Sequence, residues 1–361
     1  ETMEGEGDTR LPSKRRLDEV PARLSKEADP YEPIERRVTD KMADQIRAAD
    51  MDGIHILRER FRHYPETTSA AHVTGFVSED DDGLVSGKYG LEGHLNDVLS
   101  GTPGYLFAER DTKGRWISVG VRNQQEAEDG ADVLLTIDRA VQFKVCGMLE
   151  SAVERYQADR GAVVVLDPET GAVRAMCSVP TFDPNVYNEV EDIAVYNNLT
   201  IFDAYEPGSI FKSIIAAAAL DADVISPSTL YEDKGEEKID VYTIRNSDLE
   251  AHGIQSMTQV LEKSLNTGMI FMMRKLGIEP MARYVHAFGF GEPTGLRLNS
   301  EVRGDIANVD KGYEIYSATS SYGQGITVTL LQMARSYGAL ANEGQMMQPY
   351  IIDEIRHIDV T

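Results

Sequence analysis

The sequence predicts an α+β fold, because its strand-like runs come as hairpins and its helical runs follow separately, without the βαβ alternation of a parallel sheet. The clearest hairpin joins two β-rich runs, 161–166 and 172–177, through a turn sequence that contains proline and glycine. Helical patterns occupy residues 257–276 and 329–341. Together with a buried helix that begins near residue 209, these patterns indicate that strands and helices come from separate parts of the chain.

The first sixty residues are rich in charge and carry a helical pattern in which Ile34, Val38, Met42 and Ile46 recur every four residues. This spacing predicts an amphipathic helix that rests on a small domain. From about residue 70 to 120, short apolar runs alternate with clusters of glycine, aspartate and proline. That alternation predicts turns and short strands rather than long helices.

An acidic and polar stretch just before residue 133 indicates a join between domains, and a chain of 361 residues is long enough for two. The run 133–137 has the composition of a strand, and Asp138 is placed to cap a helix that extends to about residue 160. We therefore predict an N-terminal domain over residues 1–134 and a second domain over residues 135–361.

Composition argues against several classes of function. The formal net charge of −24 disfavours binding to nucleic acid or to an anionic membrane, since both require a positive face; the simplest alternative is that the acidity serves solubility alone.

No apolar stretch reaches the ~20 residues that a membrane-spanning helix needs, and no signal peptide is present. The first residues, Glu1 and Thr2, suggest an excerpt from a longer protein.

Neither metal nor cofactor chemistry is indicated. Cys146 and Cys177 are too few for a disulfide framework and lack the paired spacing of a zinc site. Cys177 lies in an apolar strand-like run, so we expect it to be a buried small hydrophobic residue. The seven histidines do not approach the spacing of metal ligands. We therefore predict no metal and no cofactor.

The most informative chemical feature is a serine and a lysine three residues apart, Ser209 and Lys212, at the start of the apolar run 213–220. Residues at this spacing share a helix face, so hydroxyl and amine can meet. About one Ser-x-x-Lys is expected by chance in a chain of this length, and a structural lysine more often lies on a solvated face. Here the lysine lies in the first turn of an apolar helix, where burial lowers an amine pKa toward that of a general base. The helix N-terminus also offers backbone N–H groups to a developing oxyanion.

A second pair of polar residues, Ser264 and Asn266, lies between two helical runs. A hydroxyl and a carboxamide two residues apart can line one side of a cleft where the backbone between them is irregular. Taken alone, this Ser-x-Asn pattern is better explained by a serine that caps a helix. Taken with Ser209 and Lys212, it indicates a nucleophile, a base and their polar neighbours.

In this combination the chain resembles the class B penicillin-binding proteins, the monofunctional transpeptidases of bacterial cell-wall synthesis, and within them the division-type FtsI family. The segments that carry the resemblance, in the order and roughly the spacing of that family, are 62–65 (RHYP), 71–76 (AHVTGF), 90–93 (GLEG), 135–138 (LTID), 161–171, 205–212 (YEPGSIFK), 264–266 (SLN) and 321–326 (SYGQGI). The segment 288–291 (FGFG), with Thr294, Gly295 and Glu301, favours the division-type branch over the elongation-type one.

The resemblance implies a penicillin-binding transpeptidase domain, with an antiparallel sheet between helices, preceded by a mixed α/β pedestal domain. It implies that Ser209 forms an acyl-enzyme with the penultimate D-alanine of a peptidoglycan stem peptide and that Lys212 takes the serine proton. Ser264 would relay a proton to the leaving group, and Asn266 would position the lysine amine and the substrate amide. β-Lactam antibiotics resemble the D-Ala-D-Ala terminus and should acylate Ser209 too.

The same resemblance implies a location and partners. Such a protein projects outside the cytoplasmic membrane, in the periplasm or at the cell surface, from an N-terminal transmembrane anchor that this chain lacks. It works in septal wall synthesis with a membrane-embedded glycosyltransferase of the divisome.

Two departures from the family pattern bear on activity. The third family motif, Lys-Thr-Gly on an edge strand, appears nowhere in the sequence, and we expect it beyond Thr361, in a domain that is C-terminally truncated here. Its absence leaves open that the chain as it stands is inactive. Leu199 stands where the family often has arginine. These departures leave open a penicillin-binding receptor or scaffold that acylates without turnover. A β-lactamase or carboxypeptidase is a third alternative, which the pedestal-like first third of the chain disfavours because a small soluble hydrolase has no use for it.

Overall fold

The structure, a computed structural model, describes residues 25, 34–35, 38–57, 61–79, 85–108 and 122–357. Tertiary contacts divide the chain into two compact units, Glu1–Phe61 and Arg62–Thr361. The domain boundary between residues 134 and 135 stays a prediction.

The described part of the first unit contains one helix, α1 (Asp40–Ala48). Thr39 caps it, because its side-chain oxygen accepts a hydrogen bond from the Met42 amide at 3.3 Å. The predicted helix is therefore present but shorter than its pattern, since Ile34 and Val38 precede the cap.

The second unit combines short strands with helices of up to eighteen residues. Its strands are β1 (Phe76–Glu79), β2 (Val85–Lys88), β3 (Tyr105–Ala108), β4 (Arg122–Gln125), β5 (Asp132–Leu135), β6 (Gly161–Leu166), β7 (Val173–Val179), β8 (Ala204–Tyr205), β9 (Leu230–Asp233), β10 (Glu236–Ile239), β11 (Tyr242–Arg245), β12 (Gly253–Ser256), β13 (Val328–Thr329) and β14 (Ile352–Arg356). Its helices are α2 (Ala71–Thr74), α3 (Gly90–His94), α4 (Asn96–Leu99), α5 (Arg139–Tyr156), α6 (Leu199–Phe202), α7 (Lys212–Asp221), α8 (Met257–Glu262), α9 (Asn266–Leu276), α10 (Ile278–Ala287), α11 (Ala307–Asp310), α12 (Glu314–Ser320) and α13 (Leu330–Ala341).

The named strands pair antiparallel, as β1–β2, β3–β4, β5–β14, β6–β7, β8–β13, β9–β12 and β10–β11. The predicted hairpin is β6–β7, whose register sets Gly161 opposite Val179. Helices α5 and α13 both pack on it. The predicted α+β class and its antiparallel hairpin are therefore confirmed.

The region between residues 70 and 120 contains short strands and helices of four or five residues, as its alternating pattern predicts. Within it, the stretches 80–84 and 109–121 lie outside the described residues. In the part of the chain that the structure describes, no helix is long and apolar enough to cross a membrane.

Helix α5 begins where the sequence predicts it. The Asp138 side chain accepts hydrogen bonds from the amides of Ala140 and Val141, at 2.9 and 3.0 Å. The helix ends earlier than predicted, because Gln157 adopts a left-handed conformation with φ of +50°.

The two cysteines form a disulfide, so the expectation that Cys177 is only a small hydrophobic residue is wrong. Cys177 is buried on β7, but it is bonded to Cys146 on α5, with 5.7 Å between the two Cα atoms. This distance lies inside the range that a disulfide spans. The pairing follows from the packing of α5 along β7, which the spacing of two cysteines in the sequence does not reveal.

The largest apolar core surrounds α7. Ile214 and Ile215 on this helix pack with methionines of α9, among them Met269 and Met272, and all four side chains are fully buried. The prediction of a buried helix holds except at its C-terminal end, where Leu220 is exposed. The start of α7 is thereby held in a rigid core.

Candidate active site

Ser209 lies on a single 3-10 turn, Gly208–Phe211, that leads directly into α7. The local sequence shapes this turn, since Pro207 restricts φ and Gly208 adopts a φ of +59°, a conformation that favours glycine. Phe211 is fully buried, whereas Ser209 is exposed. The turn therefore presents the serine hydroxyl at the surface while the residues after it are fixed in the core.

A loop more than a hundred residues further along the chain holds this turn in place. The Gly208 amide donates to the Gly323 carbonyl at 2.9 Å, and the Gly325 amide donates to the Glu206 carboxylate at 2.8 Å. Gly323 has a φ of +80° and lies so close that a Cβ atom on it would overlap the Gly208 carbonyl oxygen. Only glycine permits this approach of the two backbones.

Lys212, the first residue of α7, is 2% exposed and points into a set of three acceptors. Its Nζ atom donates to the Ser264 carbonyl at 2.6 Å, to Ser264 Oγ at 2.9 Å and to Asn266 Oδ1 at 2.9 Å. Burial lowers its pKa from 10.5 to about 8, because loss of hydration disfavours the ammonium form. Near neutral pH the amine can therefore hold or release a proton.

Ser264 connects the lysine to Ser209. Its Oγ atom donates to Ser209 Oγ at 3.1 Å and accepts from Lys212 Nζ. Its φ of +55° is unusual for a residue other than glycine and interrupts the chain between α8 and α9. The alternative that Ser264 caps a helix is wrong, because Ser256 caps α8 and α9 begins without a side-chain cap at its N-cap residue, Leu265.

Asn266 is the first residue of α9 and is held from two sides. Its Nδ2 group donates to the Arg245 carbonyl at 2.9 Å, and its Oδ1 atom accepts from Lys212. Because a backbone carbonyl can only accept, this contact requires the amide nitrogen to face Arg245 and leaves the oxygen facing the lysine.

The structure thus brings Ser209, Lys212, Ser264 and Asn266 together in one hydrogen-bonded group. It differs from the prediction in one respect: the contacts described here connect Lys212 to Ser209 through the Ser264 hydroxyl rather than directly. Chemically, a partly neutral amine linked to a serine hydroxyl through a second hydroxyl can withdraw the serine proton and create a nucleophile.

The groups that keep these four residues in place are not indicated by the sequence. The Arg245 carbonyl is a backbone atom and carries no signal in the sequence, whereas Glu206 and Gly325 lie in segments that the sequence singles out without indicating their contact. Leu199 begins α6, and nothing in the structure explains a consequence of this residue for the site. Among the residues described, no group of three or more His, Cys, Asp or Glu side chains is arranged to hold a metal ion.

Comparisons with known proteins agree with these motifs. Residues 161–361 match the model of the penicillin-binding protein transpeptidase domain, and residues 10–135 match that of the penicillin-binding protein dimerisation domain. Two similar curated proteins are stage V sporulation protein D of Bacillus subtilis, 34% identical over 89% of the chain, and the peptidoglycan D,D-transpeptidase FtsI homologue of Mesostigma viride, 30% identical over 89%.

Solved structures show the same similarity. Penicillin-binding protein 3 of Mycobacterium tuberculosis is 31% identical, with a TM-score of 0.70 over 83% of this chain and 63% of that one. The same protein has been solved in complex with aztreonam and with ampicillin. The chain spans about half the length of the two curated relatives, 49% and 54%.

Proposed function

The chain belongs to the class B penicillin-binding proteins, and we propose that its full-length gene product is a serine D,D-transpeptidase of peptidoglycan synthesis. The observation that carries the proposal is the hydrogen-bonded path from the buried Lys212 amine through Ser264 Oγ to Ser209 Oγ. This path joins a base of lowered pKa to an exposed hydroxyl, which is what acyl transfer through a serine requires.

In the first half-reaction, Ser209 Oγ attacks the carbonyl carbon of the penultimate D-alanine of a stem peptide. When the Lys212 amine is neutral it can accept, so the two hydroxyls turn: Ser209 Oγ donates to Ser264 Oγ, and Ser264 Oγ donates to Lys212 Nζ. The serine proton then passes through Ser264 Oγ to the amine as the new C–O bond forms. Collapse of the tetrahedral intermediate breaks the C–N bond to the terminal D-alanine, and the proton returns from Lys212 through Ser264 to that leaving amine. An acyl-enzyme ester and free D-alanine result.

In the second half-reaction, an amine of a neighbouring stem peptide attacks the ester carbonyl. The same path removes a proton from the attacking amine and returns one to Ser209 Oγ as the ester C–O bond breaks. The product is an amide cross-link, and the enzyme is restored to its starting state. Asn266 would keep the Lys212 amine aimed at Ser264 and contact the substrate amide.

The family also supports finer proposals about the setting. β-Lactams would acylate Ser209, as suggested by the complexes of the similar Mycobacterium tuberculosis protein with aztreonam and ampicillin. We further propose that the protein acts outside the cytoplasmic membrane, in septal wall synthesis, with a membrane glycosyltransferase that supplies the glycan strands.

The test is a transpeptidation assay on the full-length gene product. A donor peptide ending in D-Ala-D-Ala is supplied with an amine acceptor, and both free D-alanine and the cross-linked product are measured. We expect both products from the parent protein and neither from the Ser209→Ala variant. Acylation by penicillin without cross-linking would instead indicate a receptor, and equal activity of Ser209→Ala would refute the mechanism.

A further inference from the structure

A buried polar cluster lies behind the proposed active site. Its members are Asp233 at the end of β9, Asn246 just after β11, and Thr267 in the first turn of α9, and we call it the Asp233 cluster. The three residues are 1%, 1% and 2% exposed. Polar groups buried so completely are costly unless all of them are satisfied, which makes their arrangement informative.

Asp233 is the centre of the cluster and accepts hydrogen bonds on both carboxyl oxygens. Oδ1 accepts from the Gly235 amide at 2.9 Å, from Asn246 Nδ2 at 3.1 Å and from the Thr267 hydroxyl at 2.8 Å. Oδ2 accepts from Asn246 Nδ2 at 2.9 Å and from the His252 amide at 3.1 Å. The side chain therefore fixes the conformation of the loop that carries Asn246.

Asn246 transmits this restraint to α9. Because its Nδ2 group faces Asp233, its Oδ1 atom is turned toward the helix and accepts from the Thr267 amide at 3.2 Å. Helix α9 has no side-chain cap from its N-cap residue, Leu265, so a residue from a distant loop satisfies one of its free amides.

The residues that precede Asn246 and Thr267 in the chain contact each other at the proposed active site. Arg245 precedes Asn246, and its carbonyl accepts from Asn266 Nδ2 at 2.9 Å. Asn266 precedes Thr267, and its Oδ1 atom accepts from Lys212 Nζ at 2.9 Å. The hydrogen bond between Asn266 Nδ2 and the Arg245 carbonyl orients the Asn266 amide. The Asp233 cluster thus holds the residue that follows each of these two partners.

We propose that Asp233 is a positioning residue for the acyl transfer, acting through Asn246 and the Arg245 carbonyl to keep Asn266 Oδ1 directed at the Lys212 amine. The proposal rests on the proposed transpeptidase function. Asp233 itself would not contact the substrate, because it is buried beneath the site residues.

The decisive variant is Asp233→Asn, which keeps the volume of the side chain. In either orientation, the NH2 group of the new amide faces groups that donate hydrogen bonds. In the place of Oδ2 it faces Asn246 Nδ2 and the His252 amide, and in the place of Oδ1 it faces Asn246 Nδ2 and the Thr267 hydroxyl. The Asn246 side chain and the Arg245 carbonyl should shift, and the orientation of Asn266 should be lost. We expect the second-order rate of acylation by a fluorescent penicillin to fall about 10- to 100-fold in the full-length gene product.

A double-mutant cycle separates positioning from general damage to the fold. If Asp233 acts through Asn266, then Asp233→Asn should cost less than about twofold in an Asn266→Ala background, because the group it orients is already absent. The matched control is Asp240→Asn, the same change at an exposed aspartate in the turn between β10 and β11, and it should leave the acylation rate unchanged.

A second variant covers the case in which Asp233→Asn does not fold. Asn246→Ala leaves Asp233 with its donors at the Gly235 and His252 amides but removes the side chain that links Asp233 to α9. Its acylation rate should also fall about 10- to 100-fold, and by less than about twofold in the Asn266→Ala background. Equal losses in both backgrounds, from Asp233→Asn or from Asn246→Ala, or an unchanged rate in the folded single variants, would each overturn the inference. Failure of the parent protein itself to react with penicillin would instead refute the proposed function.

Discussion

The pH dependence of acylation follows from the burial of Lys212. Its pKa of about 8 leaves roughly one tenth of the amine neutral at pH 7, against about one part in three thousand for a lysine with the ordinary pKa of 10.5. Burial therefore raises the fraction of competent base about 300-fold at that pH. Under the proposed mechanism, the acylation rate should follow this fraction.

The assay is the second-order rate of labelling by a fluorescent penicillin, measured on the full-length gene product across a range of pH. The rate should rise about tenfold per pH unit on the acidic side and level off above about pH 9. Lys212→Arg should lower it by roughly a thousandfold or more at every pH, because a guanidinium is not neutral in this range. Lys263→Arg, the same change at an exposed lysine beside Ser264, is the matched control and should behave as the parent.

Two results would contradict the role of Lys212 as a buried base. A profile whose midpoint lies near the ordinary lysine pKa would mean that Lys212 is not the base or that burial does not affect it. Substantial acylation by Lys212→Arg would mean that the serine is activated without a neutral amine.

Three further predictions concern the relay, the disulfide and alkaline stability. Ser264→Ala should slow penicillin labelling by about 100-fold or more without a large change in melting temperature, because it breaks the path to Ser209; a rate near that of the parent would contradict the relay. Replacing Cys146 and Cys177 by serine should lower the free energy of unfolding in urea by roughly 3–4 kcal/mol, since the bridge closes a loop of 31 residues; an unchanged midpoint would contradict it. Lys212 has a folded-state pKa below its unfolded one, so its burial destabilises the fold at low pH and this cost disappears as pH rises from about 8 to 10.5. Over that range the parent should gain about 3 kcal/mol of unfolding free energy relative to Lys212→Met, and parallel curves for the two proteins would contradict the burial effect.

Much of the arrangement could be predicted from local sequence. The Ser209–Lys212 spacing and the apolar run after it specify a buried helix with a lysine in its first turn, and the structure has both. The hairpin and the Asp138 cap are likewise set by neighbouring residues, through turn chemistry and side-chain capping. The pattern of Ser264 and Asn266 points to a site only because it fits a known combination of motifs.

The remainder depends on contacts between distant segments. The Cys146–Cys177 bridge forms because a helix lies along a strand, and the contact between Glu206 and Gly325 joins residues 119 apart. The left-handed backbone of Ser264 turns its hydroxyl into the position between Lys212 and Ser209, although serine rarely adopts this conformation. No local pattern indicates these features, because tertiary packing determines them.

Mass spectrometry of the penicillin adduct decides whether Ser209 is the nucleophile. The full-length gene product is treated with benzylpenicillin and digested, and the acylated peptide is fragmented to locate the modification. The proposed mechanism predicts one penicilloyl group, attached to Ser209 and absent from Ser209→Ala. A stable adduct at another residue, or an adduct that persists in Ser209→Ala, would contradict it.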